Sequence, residues 1–200
     1  MKIILDKIYK RYNDKWIIKD FTYQFNKKFY AITGANGSGK TTLLKIIIGL
    51  LTPNKGKITY YKNDLEIENH IGYFSFAAPY QELIEEFTMN ELINFHFKFL
   101  NPINKLNKKD IPYKMKLEEA LNIKIKNFSS GMKQKLKLGL ALYSDCSFTL
   151  LDEPCTNLDK NSKIWYQNTI ENLQNFKKII IATNSNDDFD SSQYNIIKLD

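Results

Sequence analysis

The chain has 200 residues, 43% of them hydrophobic, which suits one globular domain with a real core. No apolar run reaches the ~20 residues of a membrane span, and charges interrupt MKIILDKIYKRY where a secretion signal needs an apolar stretch, so a cytoplasmic protein is expected. A net charge of +7 invites nucleic acid, but Arg11 is the sole arginine among 29 basic residues and the lysines are spread along the chain, so no specific nucleic-acid partner is expected.

The first thirty residues are rich in β-formers, with alternation in FTYQF (Phe21 to Phe25). FYAIT reads as a buried strand that enters a glycine-rich loop, GANGSGKTT. TLLKIIIGL reads as a helix ending near Gly49, with Pro53 beyond it. GKITYY (Gly56 to Tyr61) and IGYFSF (Ile71 to Phe76) read as strands. From about Glu82 to Tyr143 the pattern is helical, broken at Pro102, at Pro112 and around Ser129. FTLLDEP reads as a strand with acidic residues at its C-terminal end. A helix follows Asp159, then the strand KIIIAT and a short strand near NIIKL. This alternation predicts an α/β fold with a mostly parallel central sheet, an N-terminal antiparallel β part, and an α-helical subdomain (about residues 82–143) on the sheet edge. No repeat or linker divides residues 1–200, which read as one domain. Cys146 and Cys155 lack metal-ligand spacing and read as ordinary reduced thiols.

Gly34-Ala35-Asn36-Gly37-Ser38-Gly39-Lys40-Thr41 fits G-x-x-x-x-G-K-[ST], the P-loop. Its glycines let the backbone wrap so that N–H groups point inward, and the following helix adds its positive dipole end. Gly34, Asn36, Gly37, Ser38 and Gly39 form the cradle. Lys40 is expected at the β- and γ-phosphates, Thr41 on Mg²⁺, and Thr42 at a nearer phosphate. The second half of such a site is a carboxylate at a strand end. In FTLLDE, Asp152 is placed to hold Mg²⁺ and Glu153 to polarise the attacking water. Asn107-Lys108-Lys109-Asp110 also spells N-K-x-D, a guanine-reading motif. It follows polar NPINKL rather than a buried strand, and no D-x-x-G occurs, so it reads as a chance match.

In NFSSGMKQKLKLGLALYSD, Ser129 is a natural N-cap and the serine–glycine turn opens a helix, an anion-binding end. That helix leads into FTLLDE, so its N-terminus is expected far from its own P-loop. With these motifs in order, the chain resembles an ABC-type ATPase, the nucleotide-binding subunit of ATP-binding cassette transporters, over essentially its whole length. Gly34–Thr41 matches Walker A, FSSGM matches the family signature, FTLLDE matches Walker B, and CTNLD (Cys155 to Asp159) matches the D-loop. The resemblance implies a P-loop NTPase fold with ATP and Mg²⁺ as cofactors. It implies a head-to-tail dimer, homo- or heterodimeric, with ATP sandwiched between Walker A of one subunit and Ser129 and Gly131 of the other. It also places Tyr12 as an aromatic against adenine, with Trp16 as the other candidate.

Three departures stand out. Ser130 and Met132 replace signature residues. Phe76 stands where the family ends a strand with glutamine; Tyr80 and Gln81 are the nearby alternatives, and the sequence favours no strict replacement. Asn184 stands where a histidine touches the γ-phosphate. An asparagine amide still donates a hydrogen bond, and Lys40, Glu153 and Asn184 are the catalytic candidates for slow but real hydrolysis. The expected role is the ATPase subunit of a membrane transporter, bound to a transmembrane permease subunit on the cytoplasmic face of the cell membrane. The segment Glu85 to Leu100 would lie where the family docks its partner. The SSGMKQ-type signature resembles export subunits more than import ones. The alternative is a soluble ABC ATPase acting on a ribosome, DNA or an assembly partner; a third is an ATP-binding switch that barely hydrolyses.

Overall fold

The computed structural model describes residues 1–199. The chain opens with a long antiparallel hairpin, β1 (Lys2–Tyr12) and β2 (Lys15–Phe25). The buried strand β3 (Phe29–Thr33) follows and runs through the glycine-rich loop into α1 (Lys40–Ile47). A second hairpin, β4 (Lys55–Lys62) and β5 (Leu65–Ile67), returns to the first and pairs with β1. Then come β6 (Phe74–Ala77), the insertion with α2 (Met89–His96) and α3 (Ile111–Lys114), and α4 (Ser130–Leu142). The chain closes with β7 (Phe148–Asp152), α5 (Lys160–Leu173), β8 (Lys178–Thr183) and β9 (Asn195–Lys198).

Two sheets result. The antiparallel one has the order β2-β1-β4-β5, and the parallel one β6-β7-β8-β3-β9. The inner strands β3, β7 and β8 are mostly apolar runs because both of their faces are covered. Alternate residues serve opposite cores. Phe29, Ala31, Leu151, Ile179 and Ile181 pack toward α4, α5 and the insertion. Tyr30, Ile32, Leu150, Ile180 and Ala182 pack toward α1 and the antiparallel sheet. The register aligns Thr33 with Thr183, Ala182 with Asp152, and Leu151 with Ala77, so these strands all end on one edge of the sheet.

Several sequence expectations change. The strand read over Ile71 to Phe76 begins only at Phe74, where its partner β7 begins at Phe148; before it, the Tyr73 N–H turns back to the His70 carbonyl. The antiparallel part is not solely N-terminal, since β4 and β5 join it after α1. β5 was not foreseen. Its turn is Asn63-Asp64 with φ of 51° and 62°, the two positive angles a tight hairpin needs. Between residues 82 and 143 the helical pattern forms α2, α3 and α4, joined by loops and short 3₁₀ turns. Asn104, Lys105 and Lys116 at positive φ interrupt any longer helix. Pro112 does not break a helix but starts α3, where its missing N–H costs nothing. Thr88 and Glu91 form a reciprocal capping box that opens α2.

Leu150 is fully buried between the two sheets. Leu150→Ala should lower unfolding stability by roughly 2–5 kcal/mol, read as a lower urea midpoint with an unchanged slope.

Candidate functional site

The site forms where β3, β7 and β8 end together. After Thr33 the chain turns through Gly34–Gly39, and Gly39 caps α1 in the left-handed region at φ 100°. A Cβ there would also come within 2.8 Å of Ile17 Cγ2, so only glycine fits. The Lys40 side chain is buried and folds back over the loop. Its ammonium donates to the carbonyls of Gly34 (2.9 Å) and Ala35 (3.0 Å). Ser38 Oγ is buried with no hydrogen-bond partner among the described residues. An open cleft of about 390 Å³ lies over this loop, lined by Asn36, Gly37, Gly39, Lys40, Thr41 and Thr42, with Glu153 and Tyr12 also on its walls.

Asp152 ends β7 with its side chain almost wholly inaccessible. The Thr41 hydroxyl donates to its Oδ2 at 2.6 Å, while Oδ1 is buried and unpartnered among the described residues. Burial raises the Asp152 pKa; the Thr41 hydroxyl and then the Tyr80 hydroxyl oppose the rise. A hydroxyl, one carboxylate with a free oxygen and room for phosphates form the hard-oxygen donor set that suits Mg²⁺. The residues present therefore fit the ion. Glu153 turns off the strand at φ 44°, an unfavourable angle for a side-chain-bearing residue, fixed by its N–H donating to the Ala182 carbonyl at 2.8 Å. Burial raises the Glu153 pKa; Lys40 opposes this, and the nearby Asp152 and Asp188 add to it.

Asn184, one residue past β8, donates from Nδ2 to Asn36 Oδ1 at 2.8 Å and so touches the glycine-rich loop. Tyr12 is half-exposed on the cleft wall, whereas Trp16 packs edge-on against Tyr9, with Arg11 over its ring. Ser129 caps α4 by accepting from the Met132 N–H at 3.2 Å. Ser129, Ser130 and Gly131 line a second cleft with Asn157 and Asp159, and it shares no residue with the first. A Cβ on Gly131 would sit 3.0 Å from the Asn157 carbonyl, which keeps these two segments close. Phe76 faces away, into an apolar cavity of about 490 Å³ beside the insertion. The Gln81 amide oxygen accepts from the Ala78 N–H at 2.9 Å. Asn107 to Asp110 form a small turn on the insertion, and His70 and His96 lie outside the loop cleft, against Tyr60 and Ser144. Lys45 was not foreseen in the site; it lies one helical turn past Thr41, with its ammonium 4.5 Å from the Tyr80 ring centre.

Residues 18–156 match the family described as ABC transporter. The chain belongs to the ABC transporter family. This ABC-type ATPase is 33% identical over 188 residues to an energy-coupling factor transporter ATP-binding protein of Thermotoga maritima, covering 90% of this chain and 71% of that one. It is 24% identical over 188 residues to Nod factor export ATP-binding protein I of Cupriavidus pinatubonensis, and spans 57% of that relative's length. Its fold superposes on a dimeric ATP-binding cassette solved in a post-hydrolysis state with ADP and Pi. The TM-score is 0.82 at 19% identity, with 98% of this chain and 94% of that one covered. No described helix of this ABC ATPase is long and apolar enough to cross a membrane.

Folded Glu153 keeps its proton to a higher pH than the unfolded chain does, so its charge subtracts from stability once pH rises through the folded pKa. In the nucleotide-free protein, Glu153→Gln should raise the thermal midpoint at pH 7. The gain should vanish below about pH 4, where the carboxyl is neutral in both states.

Proposed function

We propose that this chain is the ATP-hydrolysing subunit of a membrane exporter, one domain over residues 1–200 with its helical subdomain at about residues 82–143. The observation that carries the reading is the separation of the P-loop cleft from the Ser129–Gly131 cleft. Each is half of a phosphate site, so a second cassette, identical or related, completes both. The dimeric state of the cassette with the same fold supports this arrangement.

Tyr12 stacks on adenine, and the amides of Gly34 to Gly39 take the phosphates with Thr42. Lys40 exchanges its two carbonyl partners for the β- and γ-phosphates. Thr41 and Asp152 hold Mg²⁺, which when bound neutralises charge on the phosphates. Glu153 accepts a proton from the attacking water, and its raised pKa suits that task. Asn184 releases Asn36 and donates its amide to the γ-phosphate. Losing one such donor outright costs on the order of 10²–10³ in rate, and a retained amide recovers part of that, so turnover is slow. Ser129 and Gly131 close on the partner cassette's γ-phosphate, and Asn157 and Asp159 bridge the interface.

The permease subunit docks at the apolar cavity beside the insertion, where Leu50, Ile71, Phe95 and Phe99 stand exposed. This puts the protein on the cytoplasmic face of the cell membrane. The SSGMKQ-type signature and the export relative support outward transport.

Purified chain should hydrolyse ATP slowly, and Lys40→Ala should cut the rate at least ~100-fold. With ATP and Mg²⁺, Glu153→Gln should run as a dimer in size-exclusion chromatography, alone or with its partner cassette; a chain monomeric under both conditions rules out the sandwich. Phe99→Glu should release the protein from membranes that hold its permease while leaving ATP affinity unchanged.

A further inference from the structure

Past β8 the chain makes a short 3₁₀ turn, Asn186–Asp188. The Asp188 carboxylate reaches back from it to the segments that leave β7 and β8. Oδ1 accepts from the Cys155 N–H at 2.8 Å, and Oδ2 accepts from the Thr183 hydroxyl. The residue is only 3% exposed, and among the described residues neither oxygen forms an ion pair. The Asp188 carbonyl accepts from the Tyr166 hydroxyl of α5 at 3.0 Å, which pins the turn from behind.

Burying a carboxylate without a cation costs stability, so packing alone does not account for Asp188. What its two oxygens hold does. Cys155 stands two residues past Glu153, in the turn that Glu153 opens at positive φ. Thr183 stands one residue before Asn184. The Thr183 oxygen also accepts from the Ser185 N–H at 2.9 Å, so both neighbours of Asn184 in the chain meet at one hydroxyl. Asn184 in turn reaches Asn36 of the glycine-rich loop. Glu153 and Asn184 are thus each within two residues of a group that Asp188 holds. A single buried side chain joins the segment after β7 to the segment after β8, where no helix or strand does so.

Resting on the ATP-hydrolysis reading above, we propose that Asp188 is a positioning residue that sets Glu153 and Asn184 in one frame. It touches neither nucleotide nor water. It fixes the backbone on which the proton acceptor and the amide donor stand, and its two hydrogen bonds come from neutral donors in two different segments, so the frame is lost when either bond is lost.

The test is steady-state ATP hydrolysis by the whole chain. The affinity for a non-hydrolysable ATP analogue with Mg²⁺ and the nucleotide-free thermal midpoint are measured on the same proteins. Asp188→Ala removes both contacts. Thr183→Val keeps the shape and removes only the contact toward Asn184. Asp188→Asn keeps an acceptor for the Cys155 N–H and offers an amide donor to the Thr183 oxygen. A small misplacement of reacting groups costs roughly 100-fold in rate, so kcat should fall about 100-fold in Asp188→Ala. It should fall in the same direction in Thr183→Val, with analogue affinity unchanged in both, and Asp188→Asn should recover most of the loss. Where Asp188→Ala fails to fold, a lowered kcat in Thr183→Val beside a near-wild-type one in Asp188→Asn carries the proposal. A wild-type kcat in Thr183→Val or in folded Asp188→Ala overturns it. So does a loss in which analogue affinity falls with kcat, which marks general support of the fold, and so does an Asp188→Asn as slow as a folded Asp188→Ala. Glu153→Gln, run alongside, separates the two readings. A wild-type kcat there overturns Glu153 as the proton acceptor and this proposal with it, whereas a loss there beside wild-type rates in the Asp188 and Thr183 variants overturns the role of Asp188 alone.

Discussion

Thr41 and Asp152 are separated by 111 residues in sequence and joined by a hydrogen bond of 2.6 Å. That contact depends on the register of the parallel sheet. β7 and β3 are not neighbours; β8 lies between them, pairing with each in step. α1 leaves β3 and lies over β7, packed through Leu43, Leu44 and Ile47 onto the face that Phe148 and Leu150 present. A slip of one residue in any of these strands would exchange the two cores that its alternate side chains serve and part the hydroxyl from the carboxylate. Ligands of open parallel sheets sit at the carboxyl ends of the strands, and the cleft here does too.

The core has to hold features that destabilise it locally. A carboxylate is buried, a glutamate sits at positive φ, a lysine is packed against carbonyls rather than an anion, and a serine hydroxyl has no described partner. Each is unfavourable in an empty site and becomes favourable beside polyphosphate and a divalent ion. Such clustering is expected where strain and desolvation serve a ligand. Apolar layers on both faces of the parallel sheet offset it. Elsewhere Lys177 is satisfied, its ammonium reaching Thr149 and the Ala141 carbonyl, while Gln134 Oε1 and the Tyr194 hydroxyl lack a partner among the described residues.

What was legible in the sequence was mostly what depends on local chemistry. FYAIT forms β3 as read, because five consecutive residues fit a strand covered on both faces. Asp159 caps α5 and Ser129 caps α4, since capping needs only a side-chain oxygen a few residues from the N–H it accepts. The insertion was read as helical throughout because its apolar spacing was helical, but left-handed residues at Asn104, Lys105 and Lys116 divide it. β5 was missed because three residues carry too little periodicity. The absence of a glutamine at Phe76 was legible, and so were Tyr80 and Gln81 as neighbouring alternatives; where Tyr80 sits was not, since its contact with Lys45 crosses from one element to another.

The sequence by itself determined the family, the alternation of strands and helices, and the two motif segments proposed to bind phosphate, because those motifs are set by backbone needs within a few positions. Only the tertiary structure decided which of these residues meet. It put Asn184 on Asn36, Tyr12 rather than Trp16 on the cleft wall, and Phe76 in the apolar cavity. It also held the signature in a cleft apart from the P-loop. The reason is physical. Side chains at strand ends are brought together by register and by the packing of helices over distant strands, and neither is encoded in the spacing of one motif.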